Sequence, residues 1–517
     1  MFVGPLLYMR ETIPEMAKML EILKTRFGYP GFKAGQEEVV RDVLAGGHRL
    51  VVLPTGGGKS LCYVLPAVLR AGKTLVVSPL IALMEDQAER AASVGLRALV
   101  WRRETTRDEL LQAGMIFASP EKLMHQAGPW LGRLGIWHLV IDEAHCVEDW
   151  GGSFRPMYTQ LAGLQSWIEP YSLSVFTASA GEEQRASLVR RLGLRDARCF
   201  VHGFDRPNIA WHSHQTAFPL LAALHILRKT EGRAIVYCRT RLGASRSAAV
   251  MQASGMDARP FHAGMRRDVR MHLQREFLEG RIRILCATSA FGMGVDVPAV
   301  RTVIHLGLPS GRNAYYQESG RAGRDGQSAL AVLLTQPGEQ VRLDAVERRN
   351  RVLLALIRQA GDGWTQDGFA SRLRVLGGGQ EPAEMAAFLV HHGICRMERS
   401  GSIIPLIGAG ERVRMAIRED MERRAEENRW IGDFVSADGG CRRKHLVGGF
   451  EDVSGLVCHG CDACGSEYSE MLARILGQTA TDAEVVRNFV KLPWLERPAL
   501  VFGEQISVLR EEWSARK

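Results

Sequence analysis

The feature that most constrains this chain is the junction at residues 49–69, where an apolar run, RLVVL, passes into the loop PTGGGKS and then into the apolar segment LCYVLPAVL. A strand, a glycine-rich loop and a helix in this order let backbone N–H groups turn toward phosphate oxygens at the positive end of the helix. Leu53 occupies the first glycine position of the strict phosphate-loop pattern, but the variant P-T-G-x-G-K-S is matched. The alternative, a flexible glycine turn beside a lysine, leaves the flanking strand and helix unexplained.

This loop predicts a nucleotide site, and an acidic segment downstream completes it. The loop residues expected to surround the phosphates are Thr55, Gly56, Gly57, Gly58, Lys59 and Ser60. Lys59 can reach the outer phosphates of ATP, and the Ser60 hydroxyl can hold Mg²⁺. In HLVIDEAH, we expect Asp142 to bind Mg²⁺ and Glu143 to polarise the attacking water. An acidic strand-to-helix turn is the alternative, and the phosphate loop upstream favours the metal site.

Short apolar runs alternate with helix-like stretches from residue 48 to about residue 335. Runs of this length between helical segments are typical of buried parallel strands in α/β units. The rhythm restarts after residue 230, which predicts two α/β lobes at residues 1–208 and 209–340, joined near residues 202–214. The candidate strands are HRLVVLP, KTLVVSP, MIFAS, HLVIDEA, SLSVFTAS, RAIVYC, RIRILCAT, VRTVIHL and ALAVLLT.

Four of the ten cysteines lie close together, and the other six are scattered. The four are Cys441, Cys458, Cys461 and Cys464, with 16, 2 and 2 residues between them. Two overlapping C-x-x-C steps and a distant fourth thiol suit tetrahedral Zn²⁺, and four thiolates leave no open position, so the metal would be structural. Four free thiols are the alternative, and His445 or His459 could replace a cysteine.

The region after the second lobe is dominated by helix-like runs. We divide it into a helical insert at 341–410, a zinc-binding helical module at 411–466 and a tail of unknown role at 467–517. Within 348–408, three helix-like runs precede two strand-like runs around the turn RSGS, which is the order of a winged helix. An ordinary helical insert without DNA contact is the alternative.

The charge balance suits a polyanionic partner such as nucleic acid, because 66 basic residues outweigh 57 acidic ones and the net charge is +9. This signal is weak without motifs. No run approaches the roughly 18 apolar residues that a membrane span needs. The N-terminal segment MFVGPLLYMRETIPEM lacks the basic lead-in and cleavage site of a signal peptide. We therefore expect a cytoplasmic protein without a membrane partner, associated with the nucleoid if the source is bacterial.

The segment YYQESGRAGRDG would bring the second lobe to the nucleotide. Arg321 and Arg324 lie three residues apart among glycines, and arginines that reach a γ-phosphate from a separate domain stabilise transition-state charge. We place Gln317, from the same segment, in the catalytic set. Asp296, in the glycine-rich turn ATSAFGMGVDVP, could contact both nucleotide and strand. A basic loop on a solvated face is the alternative.

Together these segments resemble the RecQ family of DNA helicases, within the DEAH-type superfamily-two motors, over residues from about 25 to 335. Further matching segments are FGYPGFKAGQ, SPLIALMEDQ, FASPEKL, FTASA, FDRPNI and FHAGM. The resemblance implies two tandem RecA-like parallel-sheet lobes. It also implies an adenine site in which Gln36 reads the base edge and Tyr29 stacks on the ring. Lys33 stands where the family usually has arginine.

The segment VEDWGGSFRPMY resembles the aromatic-rich loop that senses single-stranded DNA in RecQ proteins. Trp150 and Phe154 can offer ring faces to unstacked bases, and Arg155 can pair with phosphate or a carboxylate. Packing of both rings in a core is the alternative. Gly152 and Ser153 replace the usual His-Asp of the family, which puts the coupling of DNA binding to ATP hydrolysis in question.

The leading hypothesis is an ATP-dependent DNA helicase that uses ATP, Mg²⁺ and a structural Zn²⁺. The resemblance implies 3′-to-5′ movement along single-stranded DNA, unwinding of duplex DNA and a role in repair or recombination. The alternative is a DNA-stimulated ATPase switch or remodeller within a larger repair or defence assembly, without processive unwinding. RNA unwinding would use the same core chemistry. The sequence does not identify a protein partner.

Overall fold

The computed structural model describes residues 16–54, 56–79, 81–126, 128–147, 161–194, 196–292, 297, 299–339, 344–376, 382–398, 402–436, 440–458 and 460–479. Two parallel sheets, each flanked by helices, are followed by a helical region and a cysteine-rich segment. The predicted fold class, two tandem RecA-like α/β lobes with a helical C-terminal region, is therefore confirmed. The predicted domain limits stay predictions.

Lobe 1 is built around a seven-stranded sheet. Its elements are α1 (Met16–Phe27), α2 (Gln36–Ala45), β1 (Gly47–Val52), α3 (Leu61–Leu69), β2 (Lys73–Val77), α4 (Ile81–Ser93), β3 (Ala98–Val100), α5 (Arg107–Gln112), β4 (Met115–Ala118), α6 (Pro120–Gln126), a 3₁₀ helix (Pro129–Leu134), β5 (Ile136–Ile141), a second 3₁₀ helix (Ala144–Val147), α7 (Gln165–Ile168), β6 (Ser172–Thr177), α8 (Glu182–Arg191) and β7 (Arg198–Val201). The strand order is β3-β4-β2-β5-β6-β1-β7, and all neighbours are parallel. Five strands coincide with predicted apolar runs, because helices cover both faces of a parallel sheet and its strands are mostly apolar.

Lobe 2 repeats this architecture with six strands. Its elements are β8 (Ile209–Gln215), α9 (Pro219–Lys229), β9 (Arg233–Cys238), α10 (Arg241–Ala253), β10 (Ala258–Phe261), α11 (Arg267–Leu278), β11 (Ile284–Ala287), β12 (Val300–Leu306), α12 (Arg312–Ser319) and β13 (Ala329–Thr335). The order is β10-β11-β9-β12-β13-β8, again with parallel neighbours. The four predicted strands of this half, β9, β11, β12 and β13, occupy its interior.

The edge strand β8 lies where the sequence predicts the joint between the lobes. Its last four residues, HSHQ, are polar, so no long apolar run marks the strand, yet His212 and Ser213 are buried. The cysteine-rich segment covers them. The Trp211 N–H donates to the carbonyl oxygen of Gly460 (3.0 Å), and the Asp462 N–H donates to that of Trp211 (3.2 Å). A segment distant in sequence thus extends the sheet at this edge.

The helical region after lobe 2 has a core of its own. Its elements are α13 (Asp344–Arg358), α14 (Gln366–Val375), α15 (Pro382–His391), β14 (Cys395–Met397) and β15 (Ile403–Pro405). This order matches the three helices and hairpin that the sequence predicts. Trp364 adds an antiparallel bridge to Ile403, so a third extended segment joins the hairpin. Leu353, Phe369 and Leu389 pack together in the core, separate from the cores of the lobes.

Three further helices complete the described chain: α16 (Ala409–Val435), α17 (Arg442–Val447) and α18 (Ser469–Thr479). The helix α16 forms the first part of the helical module that the sequence predicts at 411–466. Leu472 and Ile475 of α18 join the core of lobe 2 beside α9, so the first part of the predicted tail packs on that lobe. Among the described residues, no helix has the length and apolar character needed to cross a membrane.

Candidate active site and metal centre

The phosphate loop connects the carboxyl end of β1 to α3. Gly56 and Gly58 have φ angles of +83° and +76°, in the left-handed region that glycine adopts without strain. The Gly57 N–H donates to the carbonyl oxygen of Pro54 (2.9 Å), which closes the loop on itself. Lys59 follows at the entry to α3. The two left-handed glycines are therefore compatible with a phosphate-binding loop.

Asp142 follows β5 directly, next to the start of α3. Its side chain is 2% exposed, and the Tyr63 hydroxyl donates to its Oδ2 atom (3.3 Å). Burial raises the pKa of Asp142, and the charge of Glu143 adds to the shift. Because the ionised carboxylate is costly here, a bound cation would stabilise it. Ser60 lies three residues before Tyr63 and so shares a helix face with it.

Glu143 occupies a strained backbone position, with φ +51° in the left-handed region that few non-glycine residues adopt. Its Oε2 atom lies 3.5 Å from Lys59 Nζ and 3.3 Å from His145 Nδ1. Although burial opposes ionisation, the charge of Lys59, together with His145, lowers the pKa of Glu143. The side chain is thus held as a carboxylate beside the phosphate loop, which is the state a water-activating group needs.

The residues expected to bind adenine lie against the phosphate loop. The buried Gln36 donates through Nε2 to the carbonyl oxygens of Gly57 (3.1 Å) and Gly58 (3.2 Å). Lys33 Nζ donates to that of Gly56 (2.9 Å). Tyr29, in contrast, is exposed, so its ring is accessible for stacking. The polar groups of this segment are therefore engaged with the loop itself.

Lobe 2 contributes Arg324 to the same site. A β-carbon built on Gly56 would lie 3.6 Å from Cγ of Arg324, so the arginine lies over the phosphate loop of lobe 1. Arg321 is buried within lobe 2, beside Gly292. Of the two predicted arginines, the structure brings Arg324 to the nucleotide loop.

The helix α12 joins the lobes at a second place. Gln317 Nε2 donates to the Ser179 hydroxyl (2.8 Å), and Asn313 Nδ2 donates to Gln184 Oε1 (3.0 Å). Ser179 lies in the segment FTASA just after β6. Gln317 is therefore an interlobe contact. Five predicted site residues lie outside the described residues: Thr55, Trp150, Phe154, Arg155 and Asp296.

The four clustered cysteines converge on one point. The Sγ atoms of Cys441, Cys458, Cys461 and Cys464 all lie within 4.8 Å of one another. A tetrahedral zinc site with Zn–S bonds of about 2.3 Å has S···S distances of roughly 3.8 Å, so the cluster fits such an ion. Burial raises the pKa of the Cys458 thiol to about 11, so a bound cation would favour the thiolate form of this residue.

Comparison with known proteins identifies the chain's relatives. A family model described as DEAD/DEAH box helicase matches residues 33–187, and the helicase conserved C-terminal domain matches residues 217–326. The chain is 36% identical over 338 residues to the ATP-dependent DNA helicase RecQ of Synechocystis, covering 61% of this chain and 70% of that protein. The chain belongs to the RecQ family. The predicted family is thus confirmed.

Other relatives differ in how much of their length this RecQ chain spans. It is 31% identical over 481 residues to the probable ATP-dependent DNA helicase RecS of Bacillus subtilis, covering 88% of this chain and 93% of RecS. With RecQ of Pasteurella multocida it shares 36% identity over 364 residues, which is 67% of this chain and 58% of that protein. The chain thus spans under two thirds of the Pasteurella protein.

Solved structures share the fold of this RecQ chain at low identity. The helicase MrfA bound to DNA superposes with a TM-score of 0.53 and 17% identity, covering 79% of this chain and 65% of MrfA. Saccharomyces cerevisiae Dbp5 bound to RNA and ADP BeF3 gives a TM-score of 0.51 and 18% identity, covering 62% of this chain and 87% of Dbp5. Both comparisons support the tandem-lobe architecture.

The helical insert of this RecQ chain bears little cationic charge on its third helix. The helix α15 (PAEMAAFLVH) contains Glu384 and no lysine or arginine. Met385 and Phe388 on the same helix are buried in the domain core. Phosphate contacts depend mainly on arginine and lysine. This helix therefore lacks the cations that DNA-backbone binding uses.

Two contacts of the nucleotide site could not be predicted from the sequence motifs. The Tyr63 hydroxyl donates to Asp142, and His145 lies beside Glu143, yet no sequence motif marks Tyr63 or His145. Tyr63 reads as one more apolar residue of LCYVLPAVL, and His145 follows the two carboxylates without a distinctive pattern. Helical spacing places Tyr63 on the same face as Ser60, and this spacing is the one sequence signal that points to Tyr63 as part of the site.

Proposed function

We propose that this RecQ chain is an ATP-dependent DNA helicase that moves 3′-to-5′ along single-stranded DNA and unwinds duplex DNA, in repair or recombination. The observation that carries the proposal is the composite nucleotide site, in which Arg324 of lobe 2 lies over the phosphate loop of lobe 1. A site divided between two lobes couples hydrolysis to lobe movement, because its groups assemble only when the lobes close. The relatives from Pasteurella and Synechocystis are named ATP-dependent DNA helicases, which supports DNA as the substrate.

The chain supplies a group for each task in ATP hydrolysis. Lys59 would bind the outer phosphates, Glu143 would orient and polarise the attacking water, and Arg324 would stabilise transition-state charge. Asp142 and Ser60 would hold Mg²⁺, which neutralises phosphate charge when bound. Because Lys59 and Glu143 now pair with each other, phosphate would draw the lysine away and release the carboxylate for water.

Base recognition would act on the same loop. Tyr29 would stack on adenine. Gln36 would give up its hydrogen bonds to the carbonyl oxygens of Gly57 and Gly58 and bind the edge of the base instead. Lys33 would release Gly56 in the same step. Adenine binding and opening of the phosphate loop would therefore favour each other.

We also propose that the four clustered cysteines hold a structural Zn²⁺. Their sulfur atoms are close enough for tetrahedral coordination, and one chemical type of ligand fills all four positions. No position remains for a water molecule. The ion would therefore stabilise the fold of its segment, and the cysteines would take no part in hydrolysis.

Strand displacement on 3′- and 5′-tailed DNA and RNA duplexes tests the proposed function. Wild-type protein should separate 3′-tailed DNA when ATP is supplied. Lys59→Ala should lower kcat for ATP hydrolysis on the order of 10²–10³-fold, because a cation that stabilises phosphate charge is lost, and strand separation should stop. Lys229→Ala, which removes an exposed lysine at the end of α9, is the matched control and should unwind like wild type.

Each other outcome points to a different function. Equal unwinding by Lys59→Ala and wild type would show that the mechanism is wrong. ATP turnover without strand separation would favour a DNA-stimulated switch or remodeller. Preferential separation of tailed RNA would make RNA the substrate.

A further inference from the structure

The cysteine module is defined here as residues 441–465, and the linker as residues 202–208, which join β7 to β8. The module contacts both this linker and the edge of lobe 2. Arg443 donates to both carboxylate oxygens of the linker residue Asp205, at 2.5 and 2.6 Å. The Asp205 N–H donates to Oε1 of Glu451, on the same module (3.0 Å). A bidentate arginine–carboxylate pair has a fixed geometry. The module therefore sets the position of the linker relative to β8.

The linker contacts both the cysteine module and the loop that precedes Arg324. The ring of Phe204 stacks on that of Phe450 in the module, with centroids 4.7 Å apart and an interplanar angle of 6°. Arg206 donates to three carbonyl oxygens within residues 320–323, at 2.9–3.1 Å. That loop leads directly into Arg324. Module, linker and arginine loop thus form one continuous set of contacts.

Lobe 1 is joined to the same module by Arg185 on α8. Its Nη1 atom donates to the carbonyl oxygen of Phe450 (3.1 Å) and to that of Ala180 (3.0 Å). Ala180 ends the segment in which Ser179 accepts a hydrogen bond from Gln317 of lobe 2. One guanidinium group therefore links the module to the part of lobe 1 that meets lobe 2.

We propose that Arg185 is a positioning residue for ATP hydrolysis, which fastens lobe 1 to the cysteine module and so keeps Arg324 over the phosphate loop. Its catalytic readout rests on the ATPase function proposed above. Without Arg185, lobe 1 loses a charge-assisted bond to the module, and the lobes spend less time in the arrangement that brings Arg324 to Gly56. Lys59 is untouched, because it lies within lobe 1. The loss therefore falls on kcat rather than on KM for ATP.

Steady-state ATPase kinetics with saturating single-stranded DNA give the first readout. Arg185→Ala is expected to lower kcat about tenfold, in line with the loss of one hydrogen bond from a charged donor, with KM for ATP within about twofold of wild type. Arg185→Lys keeps a charged donor and should recover part of kcat. Arg190→Ala removes an exposed arginine from the same helix and should leave kcat unchanged.

The distance between the lobes gives a second readout that needs no catalysis. Dyes are attached through azide-bearing amino acids at Leu111 in lobe 1 and Met271 in lobe 2, which are 48% and 49% exposed. Energy transfer without nucleotide should report a longer mean distance in Arg185→Ala than in wild type or Arg190→Ala. Zinc content and melting temperature are measured on the same samples and should match those of Arg190→Ala.

The outcomes separate the positioning role from other roles. An unchanged interlobe distance overturns the proposal even if kcat falls, because Arg185 would then act locally through Ala180. An unchanged kcat with a longer distance overturns it as well. Loss of zinc in Arg185→Ala would assign the residue to folding of the module instead. If wild type hydrolyses no ATP, the proposed function fails, while the distance measurement still decides whether Arg185 fastens the lobes.

Discussion

Replacement of Arg324 by alanine is expected to lower kcat for ATP hydrolysis on the order of 10³-fold, with a much smaller rise in KM for ATP. The guanidinium group lies over the phosphate loop of the opposite lobe, where charge develops on the transferred phosphoryl group. Lys59 and Glu143 lie in lobe 1 and remain in place to bind phosphate and water. Steady-state kinetics with and without single-stranded DNA measure the effect. Arg324→Lys keeps the charge but not the planar fork, so it should restore activity only in part.

Arg321 supplies the comparison that separates catalysis from structure. It is buried in lobe 2 beside Gly292, so Arg321→Ala removes a charged group from a packed site. We expect it to lower the melting temperature more than Arg324→Ala does, and to lower kcat less. A loss of kcat as large as that of Arg324→Ala, with an unchanged melting temperature, would contradict the assignment of the transition-state arginine to Arg324.

The sequence predicted most of the strands of both sheets, because a buried parallel strand can be recognised from its own residues. Strands such as β11 and β13 are buried by helices on both faces and appear as nearly continuous apolar runs. The phosphate loop is equally local, since Gly56 and Gly58 adopt backbone angles that favour glycine. The strand β8 is the counterexample: its polar residues are buried by a segment that lies far away in the sequence.

The contacts of individual side chains could be predicted less well than the strands. Arg321 and Arg324 look equivalent in YYQESGRAGRDG, yet the structure places Arg321 beside Gly292 and Arg324 beside Gly56. Arg185 reads as one of several charges on a solvated helix, EEQRASLVRR. Its role depends on Phe450, whose carbonyl oxygen reaches it through the packing of the cysteine module. Spacing along the chain carries no information about such distant partners.

Replacement of Cys461 by serine is expected to abolish stoichiometric zinc binding and to unfold the cysteine module. Cys461 is fully buried and lies next to Trp211 in the bridge to β8. Structural zinc contributes about 10–16 kcal/mol of apparent binding free energy in small zinc-finger peptides, which is comparable to the whole stability of a domain, about 5–15 kcal/mol. Atomic absorption should find one zinc per wild-type chain and a small fraction of that in Cys461→Ser.

Hydrogen exchange should show which part of the protein unfolds in Cys461→Ser. The amides of Trp211 and Asp462 pair across the join between β8 and the module, so both should lose protection in Cys461→Ser, whereas the amides of β5 in lobe 1 should keep theirs. Cys199→Ser, which removes an exposed thiol from lobe 1, is the matched control and should retain zinc and protection. Full zinc content in Cys461→Ser would show that the four-thiolate site is wrong.

Loss of zinc should also reach the nucleotide site, although none of the four clustered cysteines belongs to it. The module holds Asp205 in the linker and accepts the Arg185 hydrogen bond from lobe 1, so its unfolding removes both contacts together. Zinc-free Cys461→Ser should therefore show a lower kcat than Arg185→Ala, with KM for ATP changed far less. A zinc-free protein with wild-type kcat would mean that the lobes set their own spacing and that the module serves only to cover β8.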